Sequence, residues 1–305
     1  MTASPDPIVL RSEALEAAVA PAIGGSIARF DHVDSAGART PVLRGGGGGE
    51  TDVLAMGCFP LVPYCNRIRD GRFRFRGREI VLRPNLAGDP SPLHGQGWLL
   101  PWEVEQQDES GAALLLRHRP GEWPWAYEAR QQIRLDGTGL AIRLTCRNLD
   151  DAAMPCGLGQ HPYYPCTPET ELDTVVADVW TVDEKILPVA RRPADGHYDM
   201  RRRRICGQEL DNGFSGWSGI ADIRTEGAPF SVRLSSPNAG YFQVYSPSGG
   251  GYFVAEPVTH ANAALNEPEA LWPALGLKVL QPGEELALDA RIDLVMAGAS
   301  LAPGR

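Results

Sequence analysis

The sequence lacks the features that would place the protein in a membrane or on nucleic acid. No apolar run approaches the length that crosses a bilayer, and no basic stretch followed by an apolar one opens the chain. The formal net charge is −9, so the basic field that attracts nucleic acid or anionic lipid is also missing. We therefore expect a soluble cytoplasmic protein with no membrane and no nucleic-acid partner.

The cysteines lack the spacing of a metal or dithiol site. They stand at positions 58, 65, 146, 156, 166 and 206, and no two of them form a CxxC pair. Zinc and thioredoxin-like sites therefore have no support in the sequence. Because a cytoplasmic chain keeps its thiols reduced, we expect reduced, part-buried cysteines rather than disulfides.

Helical periodicity is scarce as well. Residues 267–275 could form one short helix, and no strand–helix–strand alternation predicts a parallel sheet. The 34 glycines and 26 prolines instead predict many turns. With 305 residues, 43% of them hydrophobic, and no internal repeat or linker, the chain can bury one large core. We expect an all-β fold, a large antiparallel β-sandwich that forms a single domain over residues 1–305.

Tight turns between runs of alternating apolar residues indicate where the strands of this sandwich pair. There are four such places: Arg76-Gly77 within residues 72–82, residues 136–139 between 132–135 and 140–147, residues 237–240 between 231–234 and 241–245, and residues 281–284 between 277–280 and 286–294. We expect the first three to be hairpins and the fourth to be a tight turn.

Two segments interrupt the strand pattern. Residues 45–49 are five consecutive glycines, but Glu50-Thr51 follows where a phosphate-binding loop needs Gly-Lys-Ser/Thr, so a surface loop is expected. The segment 191–204 holds four consecutive arginines at 201–204. It is interpreted as a solvated loop, with an anion site for a phosphorylated sugar as the alternative.

Candidate chemistry lies in polar residues within otherwise apolar segments. Taken singly, each has a structural explanation, such as a surface ion pair or a satisfied core histidine. There are four main clusters and a weaker fifth one: Asn66-Arg67-Ile68, Leu93-His94-Gly95 with Trp98 behind it, Gln160-His161-Pro162-Tyr163-Tyr164, Phe253-Val254-Ala255-Glu256-Pro257, and Asp211 within residues 210–214.

Together these clusters resemble the aldose 1-epimerase, or galactose mutarotase, family. The most specific part runs from Asn66-Arg67-Ile68 through Asn85 to Leu93-His94-Gly95. His161 and Glu256 fall where that family places its second histidine and its carboxylate base, and the turn ending at Glu284 is similar to its closing hairpin. The resemblance spans most of the chain and implies the family's galactose mutarotase-like supersandwich.

The resemblance also implies an activity, the interconversion of the α and β anomers of a free aldose without metal or redox cofactor. His161 would protonate the ring oxygen, and Glu256 would take the proton of the C1 hydroxyl. The reference pKa values of His and Glu, about 6.5 and about 4.3, suit such a pair at neutral pH. The sugar would be held by four polar residues, Arg67 and His94 around C1 and the ring oxygen, Asp211 at the ring hydroxyls, and Asn66.

Departures from the family's usual motifs surround this catalytic skeleton. The residue before His161 is Gln160, Asn212 follows Asp211 where a histidine is usual, and residues 257–262 are not Gln-rich. Galactose itself is therefore not implied. Tryptophans at 98, 102, 123, 125 and 217 could stack on a sugar or belong to the core.

Other functions were weighed against this one. A non-catalytic carbohydrate-binding protein on the same scaffold would keep the aromatics and Arg67 but would tolerate loss of His161 or Glu256. A hexose-phosphate epimerase would use the arginine-rich segment. A glycosidase needs two facing carboxylates, and the sequence offers one strong candidate. We expect a small-molecule sugar substrate and a monomer or weak homodimer.

Overall fold

The computed structural model describes residues 6–45 and 52–296, and strands dominate its regular structure. Its strands in chain order are β1 Ile8–Ser12, β2 Leu15–Ala20, β3 Ser26–Val33, β4 Arg39–Leu43, β5 Pro60–Leu61, β6 Arg72–Phe75, β7 Arg78–Val81, β8 Glu103–Gln107, β9 Gly111–His118, β10 Tyr127–Leu135, β11 Gly139–Asn148, β12 Met154–Cys156, β13 Gly159–Gln160, β14 Tyr163–Pro165, β15 Thr170–Thr174, β16 Asp178–Val182, β17 Pro188–Pro193, β18 Arg203–Arg204, β19 Leu210–Ser215, β20 Ile220–Thr225, β21 Phe230–Ser235, β22 Tyr241–Ser246, β23 Tyr252–Val258, β24 Lys278–Leu280 and β25 Glu285–Met296.

Helical structure within the described residues is limited to single 3₁₀ turns. They are Val53–Ala55, Arg69–Gly71, Gly196–Tyr198, Ala264–Asn266, Glu269–Leu271 and Pro273–Leu275. Residues 267–275, which could have formed one short helix, form two separate 3₁₀ turns, because Pro268 and Pro273 remove two backbone donors and Gly276, at φ 81°, ends the second turn.

Two large antiparallel sheets form the body of the protein. One has nine strands in the order β18-β15-β20-β21-β25-β11-β10-β9-β8. The other has eight, in the order β17-β16-β19-β22-β23-β13-β5 with β14 also paired to β23. A four-stranded sheet β1-β2-β3-β4 and the pairs β6–β7 and β12–β24 complete the structure. The predicted all-β antiparallel sandwich is confirmed.

Alternating side chains from both large sheets meet in one core. Along β10, Ile133 and Leu135 are buried while Gln132 and Arg134, which alternate with them, are exposed. Such a period of two places every second side chain on the same face of a sheet. The core cluster joins side chains of the nine-stranded sheet to those of the eight-stranded sheet, including the buried Phe242. The sandwich is therefore stabilised mainly by apolar burial between its layers.

Two of the predicted hairpins are confirmed. Strands β6 and β7 pair about Arg76-Gly77, with Gly77 at φ 78°, and β10 pairs with β11 along its whole length. In the second turn the Asp136 side chain accepts hydrogen bonds from the Thr138 and Gly139 amides. Both turns are local, which is why the short-range pattern identified them.

The third predicted hairpin is wrong. Strand β21 pairs with β20 and β25 in the nine-stranded sheet, whereas β22 pairs with β19 and β23 in the other. The intervening residues carry the chain between the layers, and Asn238 binds the edge of β25 through Asp289. The turn at residues 281–284 exists, but β24 pairs with β12 and β25 with β11 and β21, so these strands form no hairpin with each other.

Two further expectations concern individual segments. Cys166 and Cys206 form a disulfide, so the prediction of reduced thiols throughout is wrong; the other four cysteines are free and buried. The disulfide joins the end of β14 to the segment after β18, and the 40 residues between them give no indication in the sequence that the two places are close. Residues 46–49 of the predicted glycine-rich surface loop lie outside the described residues.

The layered core leads to a stability prediction with a matched pair of variants. Val244 in β22 is 0% exposed and Val189 in β17 of the same sheet is 68% exposed. Val244→Ala should lower the free energy of unfolding by about 2 kcal/mol, since two buried methyl groups are lost and a cavity remains. Val189→Ala should change it by at most about 0.5 kcal/mol. Urea unfolding of both variants measures the difference, and equal losses would contradict the assignment of the core.

Candidate functional site

Strand β23 carries a carboxylate on the face turned away from the main core. Phe253 and Ala255 belong to that core, while Val254 and Val258 belong to a second, smaller apolar cluster. Glu256 stands between these two valines in the period of the strand and therefore shares their face. The neighbouring strand β22 places Gln243 directly opposite Glu256. The carboxylate is thus held at the middle of a sheet rather than on a loop.

A break in the next strand places a histidine opposite this carboxylate. Both β13 and β14 pair with β23, through Gly159 opposite Val258 and Tyr163 opposite Val254. His161 lies midway between these pairs and therefore faces Glu256. Pro162 has no amide hydrogen to contribute to the sheet, and the His161 amide donates instead to Phe59 on the other side. The result is a distance of 3.5 Å between His161 Nε2 and Glu256 Oε1, with both side chains buried.

A second histidine is locked to a loop by a reciprocal pair of hydrogen bonds. The His94 amide donates to the Asn66 carbonyl at 3.0 Å, and the Asn66 amide donates to His94 Nδ1 at 3.1 Å. Because Nδ1 accepts, a neutral His94 carries its proton on Nε2. Asn85 supports this arrangement, since its side chain binds the amide and carbonyl of Leu93 and the carbonyl of Gly95.

Arg67 is oriented by two carboxylates and the neighbouring asparagine. Its Nε donates to Asp89 at 2.8 Å, and one terminal nitrogen lies 3.9 Å from Asp211. The same terminal nitrogen donates to Asn66 Oδ1 at 3.3 Å. Asp211 also accepts a hydrogen bond of 2.8 Å from Gln243. No sequence motif pointed to Asp89, because its contact with Arg67 depends on how the loop around residue 89 folds back.

These side chains meet in one pocket of about 320 Å³, within the size range of small-molecule sites. All six residues predicted to form a site line it. Its walls are made by Arg44, Leu54, Phe59, Asn66, Arg67, Leu86, Leu93, His94, Trp98, His161, Tyr163, Asp211, Tyr245, Tyr252 and Glu256. The tertiary structure therefore brings together the separate sequence clusters at a single place.

The aromatic wall was only partly anticipated. Phe59 stacks on the His161 ring with a centroid distance of 4.4 Å, and Trp98 stacks on Phe59 at 5.5 Å. Of the five tryptophans considered as sugar platforms, Trp98 lines the pocket and the other four belong to the main core. Tyr245 and Tyr252 had no sequence signal, because they become neighbours only where β22 and β23 pair.

Burial shifts the pKa of each ionisable group at the centre of the pocket. Desolvation raises the pKa of Glu256 well above its ordinary value, and the nearby Asp211 charge raises it further. Desolvation likewise lowers the pKa of His161 to about 3 and that of His94 well below its usual value. Burial also raises the pKa of Asp211, although Arg67 opposes this shift. The empty pocket therefore favours neutral imidazoles and a protonated Glu256.

The site retains hydrogen-bonding capacity for a polar ligand. His161 Nδ1 and Glu256 Oε2 are buried and have no hydrogen-bond partner within the part of the chain that the structure describes. Buried polar atoms in folded proteins are almost always paired, so two such atoms on residues that line one pocket indicate a place where a ligand binds. The reference pKa order expected from sequence, with His above Glu, is reversed here by burial.

The segment after β23 fastens the loop that carries Arg67. His260 Nε2 accepts the Cys65 amide hydrogen at 3.0 Å while its Nδ1 donates to the Ala261 carbonyl at 2.7 Å. Asn262 Oδ1 accepts the Arg67 amide hydrogen at 3.2 Å. A Cβ at residue 157 would lie 1.9 Å from the His260 ring, so Gly157 makes room for this contact. These residues lie in the segment that departs from the family's usual motif, which gave no hint of their role.

The arginine-rich segment lies outside this pocket. Arg201 pairs with Asp199 at 2.7 Å, Arg202 with Glu171 at 3.7 Å, and Arg204 with Glu169 at 3.1 Å. Arg203 donates to the His197 carbonyl. The guanidinium groups of Arg201, Arg202 and Arg204 are thus bound locally on an exposed surface, while Arg203 is half-buried. This arrangement supports the interpretation as a largely solvated segment.

Two other features are absent from residues 6–45 and 52–296, a metal-binding cluster and a membrane-spanning helix. No group of three or more His, Cys, Asp or Glu side chains in these ranges is arranged to hold a metal ion. No helix in them is long and apolar enough to span a membrane.

Comparison with known proteins relates this chain to one family. The sequence model of the family described as aldose 1-epimerase matches residues 6–293. The uncharacterised Escherichia coli K12 protein YphB is 33% identical over 258 residues, which cover 80% of this chain and 86% of YphB. The crystal structure of an aldose 1-epimerase candidate from Escherichia coli K12 has a TM-score of 0.86 at 28% identity, covering 95% of this chain and 99% of that one. A galactose mutarotase-like protein from Clostridium acetobutylicum has a TM-score of 0.82 at 17% identity and covers 95% of both chains, which shows the shared fold.

The buried His260 leads to a prediction about pH and stability. Burial lowers its pKa to about 4, so the folded protein binds the proton less readily than the unfolded chain does. Its stabilising contribution is fully present above the ordinary histidine pKa of about 6.5 and is lost as the pH falls towards 4. His260→Gln should therefore flatten the slope of unfolding free energy against pH in this window, by up to about 1.4 kcal/mol per pH unit.

The measurement is urea unfolding at several pH values between the two limits. His197→Gln, at an exposed 3₁₀ turn, is the matched control and should leave the slope as it is in the wild type. An unchanged slope in His260→Gln would mean that burial does not hold this ring neutral in the folded protein.

Proposed function

The chain belongs to the aldose 1-epimerase family, and we propose that it interconverts the α and β anomers of a free aldose by opening and reclosing the sugar ring. The observation that carries the proposal is the buried pair of His161 and Glu256, 3.5 Å apart in the wall of a polar pocket. Ring opening needs one group to accept the proton of the C1 hydroxyl and another to donate to the ring oxygen. A histidine and a carboxylate at one site supply both.

In the proposed reaction Glu256 takes the proton of the C1 hydroxyl while His161 donates a proton to the ring oxygen. The bond between C1 and the ring oxygen breaks, its electron pair stays on that oxygen, and C1 becomes the carbonyl carbon of an open aldehyde. Rotation about the C1–C2 bond presents the other face of the carbonyl. The two proton transfers then run in reverse, so no net proton or electron is consumed.

The two groups share the one proton that this cycle needs. In the empty pocket burial favours its location on Glu256, as the opposite pKa shifts of the two groups indicate. A sugar hydroxyl that donates to Glu256 Oε2 would stabilise the carboxylate and move the proton towards His161. The distance of 3.5 Å between the two side chains allows this exchange, and the sugar then meets a protonated His161 and an ionised Glu256.

The remaining polar residues hold the sugar in this proposal. His94 presents its Nε2 hydrogen as a donor, because its Nδ1 is occupied by the Asn66 amide. Arg67 is held by Asp89, which leaves its other terminal nitrogen as a donor for ring or anomeric oxygens. Asp211 accepts hydrogen bonds from ring hydroxyls. Fixed donors around the reacting carbon lower the barrier because they need no reorganisation during the reaction.

The test is exchange spectroscopy on a panel of free aldoses. The protein should accelerate α/β exchange of at least one aldose above the rate in buffer, with EDTA present. If several sugars bind and none exchanges faster than in buffer, the protein is a carbohydrate-binding protein on the same scaffold.

The acid–base pair leads to the sharpest mutational prediction. Glu256→Gln keeps the shape of the side chain but removes the base, and His161→Asn removes the acid. Each should lower kcat by about 10²- to 10⁴-fold while sugar affinity changes only a few-fold. Because both groups serve one transition state, the double variant should lose much less than the product of the two single losses. Near-normal kcat in folded Glu256→Gln, judged by its thermal midpoint, would refute the mechanism.

The pH dependence follows from the same pair. The active form carries one proton on the two groups, so activity falls at low pH when both are protonated and at high pH when neither is. Since the pKa of His161 is lowered to about 3, the acid limb of kcat/KM should lie well below neutral pH. The alkaline limb should lie above the usual carboxyl range because burial raises the pKa of Glu256. His161→Asn should abolish the acid limb and Glu256→Gln the alkaline one; limbs at unshifted pKa values would contradict this.

Arg67 gives a prediction about substrate holding. Its planar guanidinium donates to Asp89 and Asn66 at once and leaves its other terminal nitrogen as a donor for the sugar. A lysine ammonium cannot reproduce this arrangement. Arg67→Lys should lower kcat/KM by about tenfold or more. Arg202→Lys, on the exposed segment outside the pocket, is the control and should leave kcat/KM as in the wild type. Wild-type kinetics in Arg67→Lys would show that the residue only carries a surface charge.

A further inference from the structure

A second arginine enters the pocket from the end of β4. The Arg44 guanidinium carbon lies 3.9 Å from the centre of the Tyr163 ring and 4.5 Å from that of Tyr252. The guanidinium also donates to the Leu54 carbonyl. Stacking on two rings restricts the side chain but leaves the edges of the planar fork available as donors. Arg44 is therefore pre-organised to bind an acceptor inside the pocket.

Arg44 differs from Arg67 in that no carboxylate of the described residues balances its charge. Arg67 contacts Asp89 at 2.8 Å and Asp211 at 3.9 Å, whereas Arg44 forms no ion pair with any carboxylate among the described residues. Asp211 is separated from it by two aromatic rings: Asp211 stands opposite Tyr245, and the Tyr245 and Tyr252 rings are 6.3 Å apart. Within residues 6–45 and 52–296, an anion near Arg44 would thus meet a positive charge that is not already paired with a carboxylate.

The position of Arg44 relative to the acid–base pair indicates which part of a sugar would reach it. One ring, that of Tyr163, contacts both Arg44 at 3.9 Å and the His161 ring at 4.7 Å. In the proposed reaction His161 acts at the ring oxygen. In an aldopyranose the atom bonded to that oxygen on the side away from C1 is C5. A sugar bound for this reaction would therefore have its C5 substituent on the His161 and Tyr163 side of the pocket, where Arg44 stacks.

We infer that the preferred substrate is an aldose whose C5 substituent ends in an oxyanion, such as a hexuronate, with Arg44 as the residue that selects it. The inference rests on the proposed function and specifies its substrate class. A guanidinium matches a carboxylate in a bidentate, charge-assisted pair, and it also matches a phosphate. Neutral hexoses carry only a hydroxyl at this position and would leave the charge of Arg44 without a counterion.

The experiment compares exchange rates of matched sugars: galacturonate with galactose, glucuronate with glucose, and glucose 6-phosphate with glucose. Rates are taken above buffer by exchange spectroscopy. In the wild type kcat/KM for a uronate should exceed that for its neutral partner by about tenfold or more, one charged hydrogen-bonded pair being worth that much. In Arg44→Gln this ratio should fall about tenfold, and in Arg44→Lys it should fall less, since the charge remains. Arg202→Gln, outside the pocket, should keep the wild-type ratio.

A measurement on the wild type alone keeps the inference testable if Arg44→Gln fails to fold. Raising ionic strength screens a partly exposed charge pair, so the ratio of uronate to neutral sugar should fall with added salt. A larger ratio for the 6-phosphate than for the uronates, lost in Arg44→Gln, supports the inference with phosphate as the oxyanion.

Other outcomes separate failure of this inference from failure of the proposed function. Exchange of neutral aldoses as efficiently as their uronates, or a ratio that Arg44→Gln leaves unchanged, would overturn the selection by Arg44 and leave the epimerase activity standing. Absence of exchange with every sugar would overturn the proposed function and this inference together.

Discussion

The break between β13 and β14 is the constraint on which the pocket depends. Both short strands pair with β23, and Pro162 interrupts the pairing directly after His161, the residue that faces Glu256. Without this gap, His161 and Glu256 would form an ordinary cross-strand pair; with it, both side chains line the pocket. Because Glu256 lies in the middle strand of three, neighbours on both sides fix its position, and the His161 backbone is fixed by Phe59. The geometry of the pair is thus a property of the sheet.

Burial gives this pair its chemical character. A low-dielectric surrounding penalises the charged form of each group, so the carboxyl holds its proton more tightly and the imidazole less tightly than either would in water. The same surrounding strengthens every hydrogen bond to a polar ligand and makes an unpaired polar atom costly. A pocket built in this way is disposed to bind a molecule with many hydroxyl groups and to move protons on it, which is what opening a hemiacetal requires.

The holding residues and the acid–base residues form one connected unit. The strand that carries Glu256 continues into His260 and Asn262, whose side chains accept the backbone amides of Cys65 and Arg67. That loop in turn exchanges two hydrogen bonds with His94. A shift of the central strand would therefore move both halves of the site together, so their separation is preserved. Pre-organisation of this kind keeps donors aimed at a reacting carbon without cost at the moment of reaction.

The sequence by itself determined the features that depend on near neighbours. Alternating apolar residues established the all-β class, and turn residues such as Asp136-Gly137 identified two hairpins, because a short turn leaves its strands little choice of partner. The six site residues were recognisable from motifs rather than from physics, since no periodicity links His161 to Glu256. Only the tertiary structure decided that β21 and β22 enter different sheets, that Cys166 meets Cys206, that Arg44 lines the pocket, and that Asp89 and His260 bind Arg67 and the loop before it. These outcomes depend on which distant surfaces bury one another, and burial, which also reverses the expected pKa order of His161 and Glu256, is a property of the whole fold.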